Sequence, residues 1–236
     1  MNNQFPAYAP VKIAEKFWSI EQGGVRCYLF EGDETALLID AGFGGDLKSV
    51  CETLTDKPIQ LLITHADGDH IGAAEQFGSF YMHTAEESYY RQRHSKNPDY
   101  ITLERGFVMD IGSFRFEIIH IPGHTPGSIA LLERKKRFII TGDTVGNVPI
   151  YMFGSGRDID AYLETVKKLS AMADSFDLIY PSHGTLPQEP EILHNLIALA
   201  TDVVSGNPPQ PTDAPAHLPP SVKVYSGYGV SFLLQL

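Results

Sequence analysis

The chain reads as an α+β protein, and two observations carry that reading. Apolar runs at 25–30, 35–40, 61–63, 128–132, 137–141 and 177–180 have the length and content of strands. Segments 46–55, 158–169 and 189–204 instead repeat apolar residues at helical spacing. The runs around Ile39, Ile63 and Ile140 are apolar at consecutive positions, as strands are when helices cover both faces of their sheet.

At 236 residues and 43% hydrophobic content, the chain can bury the core of one large domain. We expect a single domain over 1–236, with a core at about 11–186 and a C-terminal helix, Pro-rich connector and strand over 187–236. The 18 basic and 29 acidic residues leave a net charge of -11, which argues against nucleic acid or an anionic membrane as partner. No apolar run approaches a membrane span, and Met1 to Pro6 lacks the basic-then-apolar pattern of a secretory signal. The expectation is a cytoplasmic protein with a small-molecule substrate, its assembly left open between monomer and homodimer. Cys27 and Cys51 form no CxxC pair. Cys51 lies on the stripe Leu47, Val50, Cys51, Leu54 behind a capping Asp46, and Cys27 lies in an apolar strand, so neither is expected as ligand or nucleophile.

Taken in order, Val11–Ile20, Val25–Phe30 and Thr35–Asp40 read as strands, followed by the helix at 46–55, which stops near Pro58. Leu61-Leu62-Ile63 is a strand, Ile71-Gly72-Ala73-Ala74 a helix start, Phe80–Met82 a short strand, and 84–94 a polar helix ended by Asn97-Pro98. Two hairpins follow, one around Gly112-Ser113 and one around the charged turn Glu133 to Lys136. Asp158 and Asp160 open a helix with Ile159, Tyr162, Leu163, Val166 and Leu169 inward. The last helix turns Ile192, Leu193, Leu196, Ile197, Ala200, Val203 and Val204 to one side and stops at Gly206. Asn207–Pro220 is expected to be extended and irregular, and Val222–Leu236 a strand.

Five apolar runs finish in a metal-ligand side chain. They lead to Asp40, to His65, to His124, to Asp143 and to His183. The densest is Thr64-His65-Ala66-Asp67-Gly68-Asp69-His70-Ile71-Gly72, two imidazoles and two carboxylates within six positions on a strand-to-helix turn. A turn can aim alternate side chains at two neighbouring centres, whereas His-x-x-x-His on a helix aims both at one. In helix-covered sheets the site lies beyond the carboxyl ends of the strands. One edge would then collect His65, Asp67, Asp69, His70, His124, Asp143 and His183, a set that suits two ions and exceeds one four-coordinate structural zinc.

His65-x-Asp67-x-Asp69-His70, Pro122-Gly123-His124-Thr125-Pro126-Gly127-Ser128, Thr141-Gly142-Asp143 and Pro181-Ser182-His183-Gly184 together resemble the metallo-β-lactamase superfamily over about 11–186. The resemblance implies a four-layer αββα sandwich. By position it implies that His65, Asp67 and His124 hold one metal, that Asp69, His70 and His183 hold the second, and that Asp143 bridges them. Asp40 matches an acid in the family's Leu-Ile-Asp-x-Gly pattern and would orient a ligand from behind. Asp69 would also orient the attacking hydroxide or take its proton.

The chain departs from the family at Asp67, where histidine is usual. Ionised Asp67, Asp69 and Asp143 with one bridging hydroxide cancel the charge of two divalent ions, and a histidine would leave +1. The extra carboxylate favours harder ions, so iron or manganese gain on zinc. A carboxylate at this position is similar to the flavodiiron branch. The leading expectation is a dinuclear-metal hydrolase in which metal-bound hydroxide attacks a small ester, thioester or lactone. A diiron redox protein acting on oxygen, nitric oxide or sulfur species is the first alternative, although nothing after 186 is long enough for an electron-delivering domain. A non-catalytic metal-binding sensor is the second. The hydroxyacylglutathione hydrolase branch grips glutathione with a C-terminal helical segment. The tail here has one helix and no Lys/Arg cluster, so that specific activity is not expected. Tyr151, Phe153 and Arg157, with Met152, follow the bridging residue on an irregular stretch and are read as a substrate wall with one cation.

The hypothesis that Asp67 biases the site toward hard ions has a direct check. Elemental analysis of protein made in unsupplemented medium should find iron or manganese, and stoichiometric zinc alone would count against it.

Overall fold

In the described residues, which are 5–94, 99–104 and 106–235 of a computed structural model, the apolar runs lie side by side as strands. Asn97 and Pro98, read as a helix stop, fall outside the described residues. The chain divides into two compact units, Met1–Ile119 and His120–Leu236.

In the first unit, β1 (Ala9–Ala14), β2 (Phe17–Gln22), β3 (Val25–Glu31), β4 (Ala36–Ile39), β5 (Ile59–Leu62), β6 (Phe80–His83) and β7 (Tyr100–Leu103) form one sheet in chain order. The pairs from β1 to β4 are antiparallel and those from β4 to β7 parallel. The parallel steps require crossovers. They carry α1 (Leu47–Glu52), α2 (Gly68–Ile71) and α3 (Glu87–Arg93). A hairpin of β8 (Val108–Asp110) and β9 (Arg115–His120) follows.

Three expectations change here. Val11–Ile20 is two strands, because Lys16 turns the chain with φ 59°. The helix expected to start at Ile71 ends there. It begins at Gly68, after an extended Asp67, and so carries Asp69 and His70 itself. The sequence reading also had no strand at Tyr100–Leu103, a four-residue edge with only Leu103 buried, which leaves little periodic signal.

One apolar cluster of this unit joins Cys27, Leu29, Leu38, Leu61 and Ile63 to Leu47 and Cys51 of α1 and to Tyr89 and Tyr90 of α3. Burial raises both thiols, Cys51 to about 12, so neither is a ready thiolate. Asp46 caps α1 by accepting from Ser49 N at 3.3 Å, as its position suggests.

The second unit contains β10 (Ile129–Glu133), β11 (Phe138–Gly142), β12 (Ile150–Tyr151), α4 (Ile159–Ala171), β13 (Leu178–Pro181), α5 (Ile192–Val204), β14 (Thr212–Asp213), β15 (Lys223–Gly227) and β16 (Val230–Leu234). β11 pairs antiparallel with β10 and parallel with β13. A separate sheet runs β12-β16-β15-β14. The tail is therefore a hairpin turned at Tyr228 and Gly229, not a single strand, and the Pro-rich connector contributes β14. Tyr151 belongs to β12 and not to an irregular stretch, because Ile150 and Tyr151 pair with Phe232 and Leu233. On α5, Leu199 is buried whereas Ile197 is only partly buried and Val204 is exposed, so the inward stripe is shifted from the expected face.

The helix α4 is the anchor of this unit. Asp158 caps it by accepting from Ala161 N at 2.9 Å, and Tyr162, Leu163, Val166 and Leu169 are buried. The fully buried Tyr162 donates to Thr144 O at 2.8 Å and meets Phe232 edge-on at 5.2 Å. Thr165 donates to Pro122 O at 2.7 Å, and Asp158 N to Gly123 O at 2.9 Å. One helix thus ties down both the loop before His124 and the loop after Asp143. Among the described residues, no helix is long and apolar enough to cross a membrane.

Gly123 sits at φ 130°, and a Cβ there would overlap the Tyr162 backbone. Gly123→Ala should therefore cost about 1–3 kcal/mol by chemical denaturation of the metal-free protein; an unchanged midpoint would contradict this close approach.

Candidate metal centre

In the first unit, Asp40 follows β4 and Thr64 follows β5, and the parallel register that pairs Ile39 with Leu62 sets the two chain ends side by side. Asp40 adopts φ 64°, the left-handed conformation that Asp tolerates, and its buried carboxylate turns toward the ligand loop. It accepts from Thr64 N at 2.6 Å, from Thr64 Oγ1 at 2.8 Å and from His70 Nδ1 at 2.7 Å. A carboxylate only accepts, so His70 carries its proton on Nδ1. The single Thr64 hydroxyl proton goes to Asp40. Its oxygen must therefore accept from His65 Nδ1 at 3.0 Å, which fixes the same tautomer on His65.

Both imidazoles therefore present a bare Nε2. His65 Nε2 stands 3.6 Å from Asp67 Oδ2, and His70 Nε2 stands 3.8 Å from Asp69 Oδ1. The two rings lie 4.0 Å apart. His65 and His70 are buried, while Asp67 and Asp69 are partly open. On the far side of the loop, Tyr89 of α3 donates to Asp67 Oδ1 at 2.6 Å.

In the second unit, His124, Asp143 and His183 come from loops that follow β9, β11 and β13. Asp143 Oδ2 lies 3.6 Å from His124 Nε2 and 3.3 Å from His183 Nε2. His124 is buried, and its Nδ1 donates to Tyr151 O at 3.0 Å, so its Nε2 is also the bare nitrogen. The Tyr151 carbonyl accepts from Arg157 Nε at 3.2 Å as well. The Tyr151 ring is exposed and lies 5.6 Å from Phe153, so Tyr151, Phe153 and Arg157 form one group beside His124.

These donor sets fit a divalent ion. Two donors about 2.1 Å from a zinc-sized ion, at the tetrahedral angle, stand about 3.4 Å apart. The His-to-carboxylate separations run from 3.3 to 3.8 Å, mostly too long for a hydrogen bond and right for an ion between them. Tying back Nδ1 while Nε2 faces carboxylates is how proteins hold metal-binding histidines.

Sequence reasoning singled out Asp40 and the ligand-type residues but missed Thr64 and Tyr89. Thr64 was within reach, since it directly precedes His65. Tyr89 gave no signal, because it lies 22 residues from Asp67 on a helix that reads as polar.

The family model described as the Metallo-beta-lactamase superfamily matches residues 20–183. The chain is similar to hydroxyacylglutathione hydrolase GloC of Haemophilus influenzae, at 29% identity over 70% of this chain and 89% of that one. It is similar to acyl-coenzyme A thioesterase MBLAC2 of Gallus gallus, at 24% identity over 72% and 76% respectively. Among solved structures, a metallo-β-lactamase from Pontibacter korlensis matches with a TM-score of 0.74 at 18% identity, covering 83% of this chain and 100% of that one. The α+β fold is accordingly the metallo-β-lactamase fold.

The Thr64 relay supplies a test of local geometry. Thr64→Val keeps the shape but leaves the His65 Nδ1–H without its acceptor, so urea denaturation of the metal-free protein should show a loss of about 1–3 kcal/mol. Unchanged stability would remove the relay.

Proposed function

The chain belongs to the metallo-β-lactamase superfamily and is a metal-dependent hydrolase, and on that premise we propose that two divalent ions serve hydrolysis of a small thioester, ester or lactone. His65, Asp67 and His124 would hold one ion, Asp69, His70 and His183 the other, with Asp143 between them. The observation that carries the proposal is that His65, His70 and His124 are all locked with Nδ1 occupied and Nε2 facing a carboxylate. An imidazole kept for packing alone has no need of that arrangement.

When bound, the ions would polarise the scissile carbonyl and lower the pKa of a nearby water. The remaining work falls to this chain's own groups. Asp69, in the first turn of α2 and partly open, can hold the proton of the attacking water at a carboxylate oxygen and return it to the leaving group. Tyr151 and Phe153, tilted rings 5.6 Å apart, offer an aromatic edge to an acyl chain. Arg157 is the cation of the group. Thioesters come first, because two relatives are named as a hydroxyacylglutathione hydrolase and an acyl-coenzyme A thioesterase. We place the activity in the cytoplasm and on a small molecule; the acidic balance of the chain argues against nucleic acid or an anionic membrane as partner.

Asp67 supports a second reading, a diiron redox centre, because the added carboxylate favours iron or manganese. Visible absorbance and oxygen uptake on adding a reductant would favour that reading over hydrolysis.

With the metal-loaded protein and a panel of thioesters and lactones, His124→Ala should abolish turnover, at least a hundredfold, without unfolding the protein. Full retained activity would remove the proposed site.

A further inference from the structure

The segment from Glu86 to His94 grips the ligand loop at three points. Glu86, fully buried, accepts from Ala66 N at 2.8 Å. His94 Nε2 lies 3.1 Å from Ala66 O, and since a carbonyl only accepts, the imidazole donates. Between them Tyr89, itself buried, donates to Asp67 Oδ1 at 2.6 Å, a charge-assisted length. The Arg93 guanidinium lies 4.0 Å from the centre of the Tyr89 ring, close enough for a cation–π contact that draws electron density from the phenol and strengthens its O–H as a donor.

A buried tyrosine needs an acceptor for its hydroxyl, and most acceptors would serve packing equally well. Here the acceptor is one oxygen of Asp67, while the other, Oδ2, is the oxygen that faces His65 Nε2 at 3.6 Å. We propose that Tyr89 is a positioning residue that reserves Asp67 Oδ1 and commits this carboxylate to a metal ion through Oδ2 alone. The inference rests on the reading of Asp67 as a ligand and deepens it. Single-oxygen ligation suits an ion of low coordination number such as zinc, whereas a carboxylate free to chelate suits ions that take larger shells, such as manganese. Tyr89 therefore works against the hard-ion bias that Asp67 introduces, and sets which metals the site accepts.

The test uses the full chain, stripped of metal with a chelator and titrated separately with zinc and with manganese against a chromophoric competitor. Tyr89→Phe removes one oxygen and keeps the ring. It should weaken zinc binding about 10- to 100-fold and weaken manganese binding less, whatever the lost hydrogen bond takes from the metal-free midpoint. Zinc affinity within twofold of the parent would overturn the proposal. So would an equal loss for both metals, which marks a packing role. Asp67→Asn separates this inference from its premise. If that variant loses zinc and Tyr89→Phe does not, only the role of Tyr89 fails; if it binds zinc like the parent, Asp67 is no ligand and both fall.

Discussion

The first unit's ligand loop depends on one buried carboxylate. Asp40 is taken out of water and left with three hydrogen-bond donors, two from Thr64 and one from His70. An ionised carboxylate buried without partners is expensive, and charge-assisted hydrogen bonds of about 1.5–3 kcal/mol each are what hold it there. The parallel pairing of β4 with β5 brings the donors within reach, and the left-handed turn at Asp40 aims the side chain across. The protons on His65 and His70 are then no longer free to choose a nitrogen. Two ring orientations follow from one anion.

The second unit reaches a similar end by other means. Behind His124 stands a backbone carbonyl. The Tyr151 carbonyl, fixed by the pairing of β12 with β16, takes its proton instead. The flanking loops hang from α4 through Tyr162, Thr165 and the Asp158 amide. Gly123 allows the chain to pass against that helix where no side chain would fit. Rigid elements thus hold the loop residues in place, as metal ligation and general acid–base chemistry both require.

The fold class, most strand positions and the acid behind His70 were legible in the sequence because each leaves a one-dimensional trace. Consecutive apolar residues mark covered strands, and Asp40 closes one of them. What was illegible depended on neighbours far apart in the chain or on a single backbone angle. Lys16 splits an apparent strand through one positive φ, and β14 forms only because β15 is there to pair with it. Tyr89, Glu86 and His94 reach the Ala66–Asp67 segment only once the parallel β5–β6 step has folded α3 over it. No periodicity in the sequence could announce those contacts. Asp67 was visible as an anomaly, yet its partner was not.

Anomalous X-ray scattering from crystals of the metal-loaded protein tests the central claim most directly. The account predicts two peaks about 3.5–4 Å apart, with Asp143 touching both, Asp67 on one and Asp69 on the other. A lone peak, or ions bound away from these carboxylates, would contradict it.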